Sequence, residues 1–150
     1  MEQKEQRRSP GANSRDRGRI TLANILLLAA LLVLPLLALQ RFSNGLLRGS
    51  IYAVVTSGIT YLAYGWDKQQ AREKQWRMPE AKLHIMELIG GWPGAFLAQR
   101  RLRHKCSKVS YLVVFWLIVL AYQLAAFDSL QEWKWVRAAL KATGFVQKTV

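Results

Sequence analysis

The sequence predicts an all-α integral membrane protein with three transmembrane helices and a short non-crossing helical hairpin, re-entrant or interfacial. Three observations predict it. The 150-residue chain is 51% hydrophobic, yet it carries 22 Lys and Arg against 9 Asp and Glu, a formal net charge of +13. These residues are segregated: no charge falls between Ile20 and Leu39, or between Val109 and Phe127. The cations gather instead in the connections. That pattern excludes an ordinary soluble globule and a disordered basic chain. The single cysteine, Cys106, excludes an internal disulfide framework and a multi-cysteine zinc site.

The first span is 20–39, and its twenty residues reach about 30 Å as a helix, the thickness of a hydrocarbon core. Pro35 inside it should kink the helix, which neighbouring helices can tolerate. A cleaved leader is the rival reading of this segment, but no A-x-A site follows Leu37-Ala38-Leu39. The second span, 49–66, is less apolar. Ala53, Ser57, Thr60 and Tyr64 recur at i, i+4, i+7 and i+11, one helix face, which should turn toward the bundle. Tyr64 and Trp66 read as interfacial aromatics at its end. The third span, 109–127, is rich in Val, Leu and Ile, with Gln123 its one strongly polar side chain.

The stretch 83–98 is ambiguous. Its sixteen residues give only about 24 Å of helix, it contains Glu87, and Gly90-Gly91-Trp92-Pro93-Gly94 breaks it. Charge placement arbitrates. The regions 1–19, 67–82 and 100–108 are all cation-rich, whereas 40–48 holds only Arg41 and Arg48. Positive charge stays cytoplasmic near span ends. A hairpin over about 79–105 that dips in and returns keeps all three basic regions on one side. Four spans are the alternative, and they would place 67–82 and 100–108 on opposite sides. The expected organisation is therefore a disordered, basic cytoplasmic tail (1–19), a membrane domain (20–127) and an amphipathic C-terminal tail (128–150). Within the last, Ser129 to Glu132 fits a capping box, Leu130, Trp133, Val136 and Leu140 share one side, and Gly144 fits the stop.

The residues that could carry chemistry lie between Tyr64 and Lys108. Pro79 suits a first helical turn, where Glu80 meets the helix dipole. Glu80, His84 and Glu87 follow at i, i+4 and i+7 on one face. Such a stripe can run acid–base chemistry or bind a ligand; its structural reading is ion pairing with Arg77, Arg100, Arg101 or Arg103. No metal or other cofactor is expected, because a metal site needs three or four converging ligands and only Asp67 or His104 could complete one. Gly90 and Gly91 can end one helix and Pro93 begin the next, in a tight turn with Trp92 at the interface. Asp67 and Lys68 point to different sides of their helix and need separate partners, for Asp67 a cation of 100–105.

In order, these residues read Asp67-Lys68, Arg77-x-Pro79-Glu80-x-x-Leu83-His84, Gly90-Gly91-x-Pro93-Gly94, Gln99 and Arg103-His104-Lys105. The series is similar to that of the small bacterial membrane proteins of the domain of unknown function 1294 family, over roughly residues 48–122. The resemblance implies a polytopic inner-membrane protein and no known activity. The expected protein is multi-pass in a bacterial inner membrane, N-terminus cytoplasmic, with a basic, histidine-bearing surface that binds anionic lipid headgroups or a protein partner. Binding candidates are Asp67, Lys68, Arg77, Glu80, His84, Gln99, Arg103, His104 and Lys105. The alternative is a small membrane enzyme acting on a lipid or lipid-linked phosphate, with Glu80, His84 and His104 as catalytic candidates. Gly58 and the Ser57/Thr60 stripe offer a contact surface for a homodimer. Nucleic acid is not an expected partner, since topology already accounts for the cations.

Overall fold

The computed structural model describes residues 20–42, 44–73, 78–102 and 108–143, and among these every regular element is helical. The elements are α1 (Leu22–Gln40), α2 (Gly45–Arg72), α3 (Glu80–Met86), a wide π-type turn (Glu87–Gly91), α4 (Trp92–Leu102), α5 (Val109–Leu130) and α6 (Lys134–Ala142). The expectations for the tail 1–19, for Arg77, for 103–107 and for Gly144 lie outside the described residues.

The segment from α3 to α4 is a hairpin, and its partners along α2 show it. The backbone N–H of Met78, just before α3, donates to Asp67 (2.9 Å). One turn or so further along α2, Tyr64 meets Glu87. At the tip, the Tyr52 hydroxyl donates to the carbonyl of Ile89. The chain then returns: Gly94 packs on the backbone of Ser57, Gln99 reaches Tyr64 (3.3 Å), and Lys68 donates to the carbonyl of Leu102. Both ends of the hairpin therefore lie at the Asp67–Lys68 end of α2, called the base below. The starts of α1 and α5 lie there too, since Arg100 Nε donates to Asn24 Oδ1 (3.0 Å) and Lys108 pairs with Glu80 (2.7 Å).

Gly90 makes the reversal. Its φ of +121° is open to glycine and strained for any residue with a Cβ. Breaking the helix frees backbone carbonyls, and tyrosines claim them: Tyr52 takes Ile89 and Tyr122 takes Leu88 (2.6 Å). Gly91 and Gly94 let the hairpin approach α2 closely, because a Cβ on Gly91 would stand 2.9 Å from Thr60 Cβ and one on Gly94 2.7 Å from Ser57 Cα. Trp92 is not at an interface as expected. It is 3% exposed, and its ring is tilted against that of Tyr122 on α5.

The polar stripe of α2 faces inward as the spacing predicts, with Thr60 and Tyr64 buried and Asp67 extending it. Tyr64 is consequently a core residue and not an interfacial one. The same stripe is occupied by the hairpin of its own chain, so the surface offered for a homodimer is internal; only Gly58 is open. Among the described residues two helices, α1 and α5, are long and apolar enough to cross a membrane; α2 is long enough but carries too much polarity to join them.

Two oddities of the sequence answer each other. Proline at 35 has no N–H for the carbonyl of Leu31, four residues earlier. Gln123 of α5 donates to that carbonyl at 2.7 Å. At the C-terminus the expected capping box does not form. Helix α5 runs on to Leu130, Glu132 and Trp133 take positive φ, and α6 begins only at Lys134. The cap is Asp128, whose carboxylate accepts from the N–H groups of Trp135 (2.8 Å) and Val136 (3.2 Å). Its carboxylate can reach two orphan donors, so it displaces Ser129 from the role.

Candidate functional site

The hairpin, α2 and α5 enclose one polar cluster centred on Glu87. Its side chain is fully buried. Oε1 accepts from the hydroxyls of Tyr64 and Tyr111, the latter at 3.0 Å, and Oε2 lies 2.7 Å from His84 Nδ1. The two tyrosine hydroxyls are 2.5 Å apart, and Gln99 donates to that of Tyr64. His84 stacks on the Tyr111 ring, 4.1 Å between centroids. A buried carboxylate is costly unless its lone pairs are met. Three donors from three elements meet them here, so the cluster also clamps the hairpin to α2 and α5.

His84 is the one member with access to the outside, its side chain being 17% exposed. With Nδ1 committed to Glu87, its Nε2 makes no hydrogen bond among the described residues. A carboxylate holding one imidazole nitrogen fixes the ring and leaves the other to bind an oxygen or exchange a proton. The helix ends at the base also carry Lys68, Arg72, Lys82, Arg100, Arg101 and Lys108. Arg100 is partly committed to structure, with its guanidinium over the Phe96 ring (3.6 Å).

The candidates from sequence divide into two groups. His84 and Gln99 join the cluster. Glu80 lies at the base in an ion pair with Lys108, Asp67 tethers the backbone ahead of α3, and Lys68 binds the last carbonyl of α4. Arg77, Arg103, His104 and Lys105 lie outside the described residues. Glu87 departs from the ion pairing anticipated with Arg100 or Arg101, because tyrosines and His84 reach it first. Sequence reasoning missed Tyr64 and Tyr111 as site residues. Tyr64 was visible as the continuation of the Ser57/Thr60 face, whereas nothing local marks Tyr111. Among the described residues no three His, Cys, Asp or Glu side chains converge as a metal site.

The fold and the cluster define a helical bundle that folds a glycine-broken hairpin onto a buried, tyrosine-capped carboxylate. The family model described as "Protein of unknown function (DUF1294)" matches residues 57–111, and over this segment the chain is similar to that family. The match begins at Ser57 and ends at Tyr111, so it contains every member of the Glu87 cluster. The chain is also similar to the uncharacterised protein YsdA of Bacillus subtilis (strain 168), 28% identical over 83 residues that cover 51% of this chain and 93% of that protein. No solved structure matches.

Proposed function

We propose that this is a multi-pass inner-membrane protein in which α1, α2 and α5 cross the bilayer, the 80–102 hairpin re-enters from the cytoplasmic side, and the base binds anionic lipid headgroups. The inverted character of α2 supports the crossing. Its buried residues are Thr60, Tyr64 and Asp67, while Ile51, Val54, Val55, Ile59 and Leu62 are exposed. A helix with polar residues inside and apolar ones outside suits lipid and not water. Leu88 and Ile89 at the hairpin tip are exposed in the same way.

The observation that carries the headgroup reading is the return of the hairpin to Asp67 and Lys68. It gathers on one end cations that are spread over forty residues of sequence. Each cation near an anionic surface contributes about 1 kcal/mol, and the excess at the base makes it the cytoplasmic face. Native mass spectrometry of the full chain in mild detergent tests this with phosphatidylglycerol and phosphatidylcholine. Phosphatidylglycerol should be retained preferentially, and less so when the exposed Arg72, Lys82 and Arg101 are all changed to Gln. Equal retention of the two lipids discards the reading.

The Glu87–His84 contact favours a second reading, a membrane enzyme using His84 on a lipid-linked phosphate. Turnover lost in His84→Gln with lipid retention intact would select it over simple binding.

A further inference from the structure

The hairpin stops at Gly90, level with Tyr52, and the bundle continues beyond it. At the base, the hairpin's two arms fill the space against α2 and α5. Past the tip, among the described residues, α1, α2 and α5 continue with Trp133 at their edge, and they leave between them a cavity of about 440 Å³. Its walls are almost wholly apolar. Pro35 of α1, Gly49 and Ala53 of α2, Ala125 of α5 and the tip residue Trp92 contribute, and the small residues among them keep the space open. The tyrosine hydroxyls at its floor, Tyr52 and Tyr122, are already committed to the carbonyls of Ile89 and Leu88. The site therefore requests no polar ligand.

We infer that this cavity is a binding site for a single hydrocarbon chain of an anionic membrane lipid. The inference rests on the membrane reading above but concerns the opposite end of the molecule from the basic base. The size falls within the roughly 300–1,000 Å³ of small-molecule sites. An empty apolar cavity forfeits dispersion contacts along its whole lining, and at this depth the available filler is hydrocarbon. Charge at the rim selects the headgroup. Phe42 and Trp133 are exposed at the edge of the cavity. Arg41 precedes the first and Lys134 follows the second, with Arg48, Arg137 and Lys141 on the same end. The described acids nearby are already engaged, Asp128 as the α6 cap and Glu132 with Arg137.

The test is photolabelling in vesicles of phosphatidylglycerol that carries a diazirine on one acyl chain, with cross-links mapped by mass spectrometry. Labelling should concentrate on Pro35, Ala53 and Ala125 over the outward Val54 and Leu62. It should fall roughly tenfold at Pro35 and Ala125 in Ala53→Phe, which fills the space, and stay unchanged in the surface control Leu62→Phe. Equal labelling of Val54, Leu62 and the cavity wall overturns the inference while leaving the protein in the membrane. Absence of label anywhere, with the protein outside the vesicles, overturns the membrane reading and the inference together. Should Ala53→Phe not fold, the distribution of label in the unaltered protein still decides.

Discussion

Gln123 Nε2 lies 2.7 Å from the carbonyl oxygen of Leu31, the acceptor that Pro35 leaves without a helical donor. The proline's break in α1 is thus satisfied by α5, at a part-buried position where an unmet carbonyl is expensive. Gln123→Leu should cost about 1–2 kcal/mol. In a Pro35→Ala background, where the substituted residue supplies its own N–H, the same change should cost far less. Unfolding of the four proteins in mixed detergent micelles gives the cycle, and equal costs in both backgrounds would refute the compensation.

Removing Glu87 leaves two buried hydroxyls and His84 without their shared acceptor. Glu87→Ala should therefore lose about 3 kcal/mol, near 1 kcal/mol for each broken bond. Glu87→Gln keeps an acceptor oxygen and should lose less. Tyr64→Phe also removes the acceptor of the Gln99 amide, and Tyr64→Phe and Tyr111→Phe should each cost about 1 kcal/mol or more. Thermal unfolding ranks the four; a neutral Glu87→Ala would deny the cluster its clamping role.

The glycines of the hairpin should separate sharply from a glycine on the open face of α2. Gly91→Ala and Gly94→Ala each drive a Cβ into α2 and should lose about 1–3 kcal/mol. Gly90→Ala meets backbone strain of similar size. Gly58 has nothing within 4 Å of where its Cβ would stand, so Gly58→Ala should be tolerated or mildly stabilising. Expression level and melting temperature check all four, and a destabilising Gly58→Ala would point to a contact with a second molecule.

Asp128→Ala should fray α6 alone, at about 1 kcal/mol for a lost cap. Limited proteolysis near Lys134 should accelerate while the melting temperature of the bundle holds. A matching effect from Ser129→Ala would restore the capping box that the sequence proposes.

The return of the hairpin makes a topological prediction. In a Cys106→Ser background, Lys82→Cys and Arg101→Cys should react with an impermeant maleimide from the same side of the membrane, and Arg137→Cys from the other. Labelling of 82 and 101 from opposite sides would mean that the hairpin crosses.

The helices, the hairpin and its break were legible in the chain, because these follow from local properties. Uncharged runs set α1 and α5, the 3.6-residue spacing of Ser57, Thr60 and Tyr64 set the inward face of α2, and Gly90 before Pro93 set the reversal. Who meets whom was settled by assembly. Tyr111 joins Glu87 across 24 residues, Gln123 serves Leu31 across 92, and Asp128 outcompetes Ser129 for the start of α6. No periodicity encodes those pairings. A buried polar atom takes whichever donor the packed backbone brings within about 3 Å, and that distance exists only once the helices are packed together.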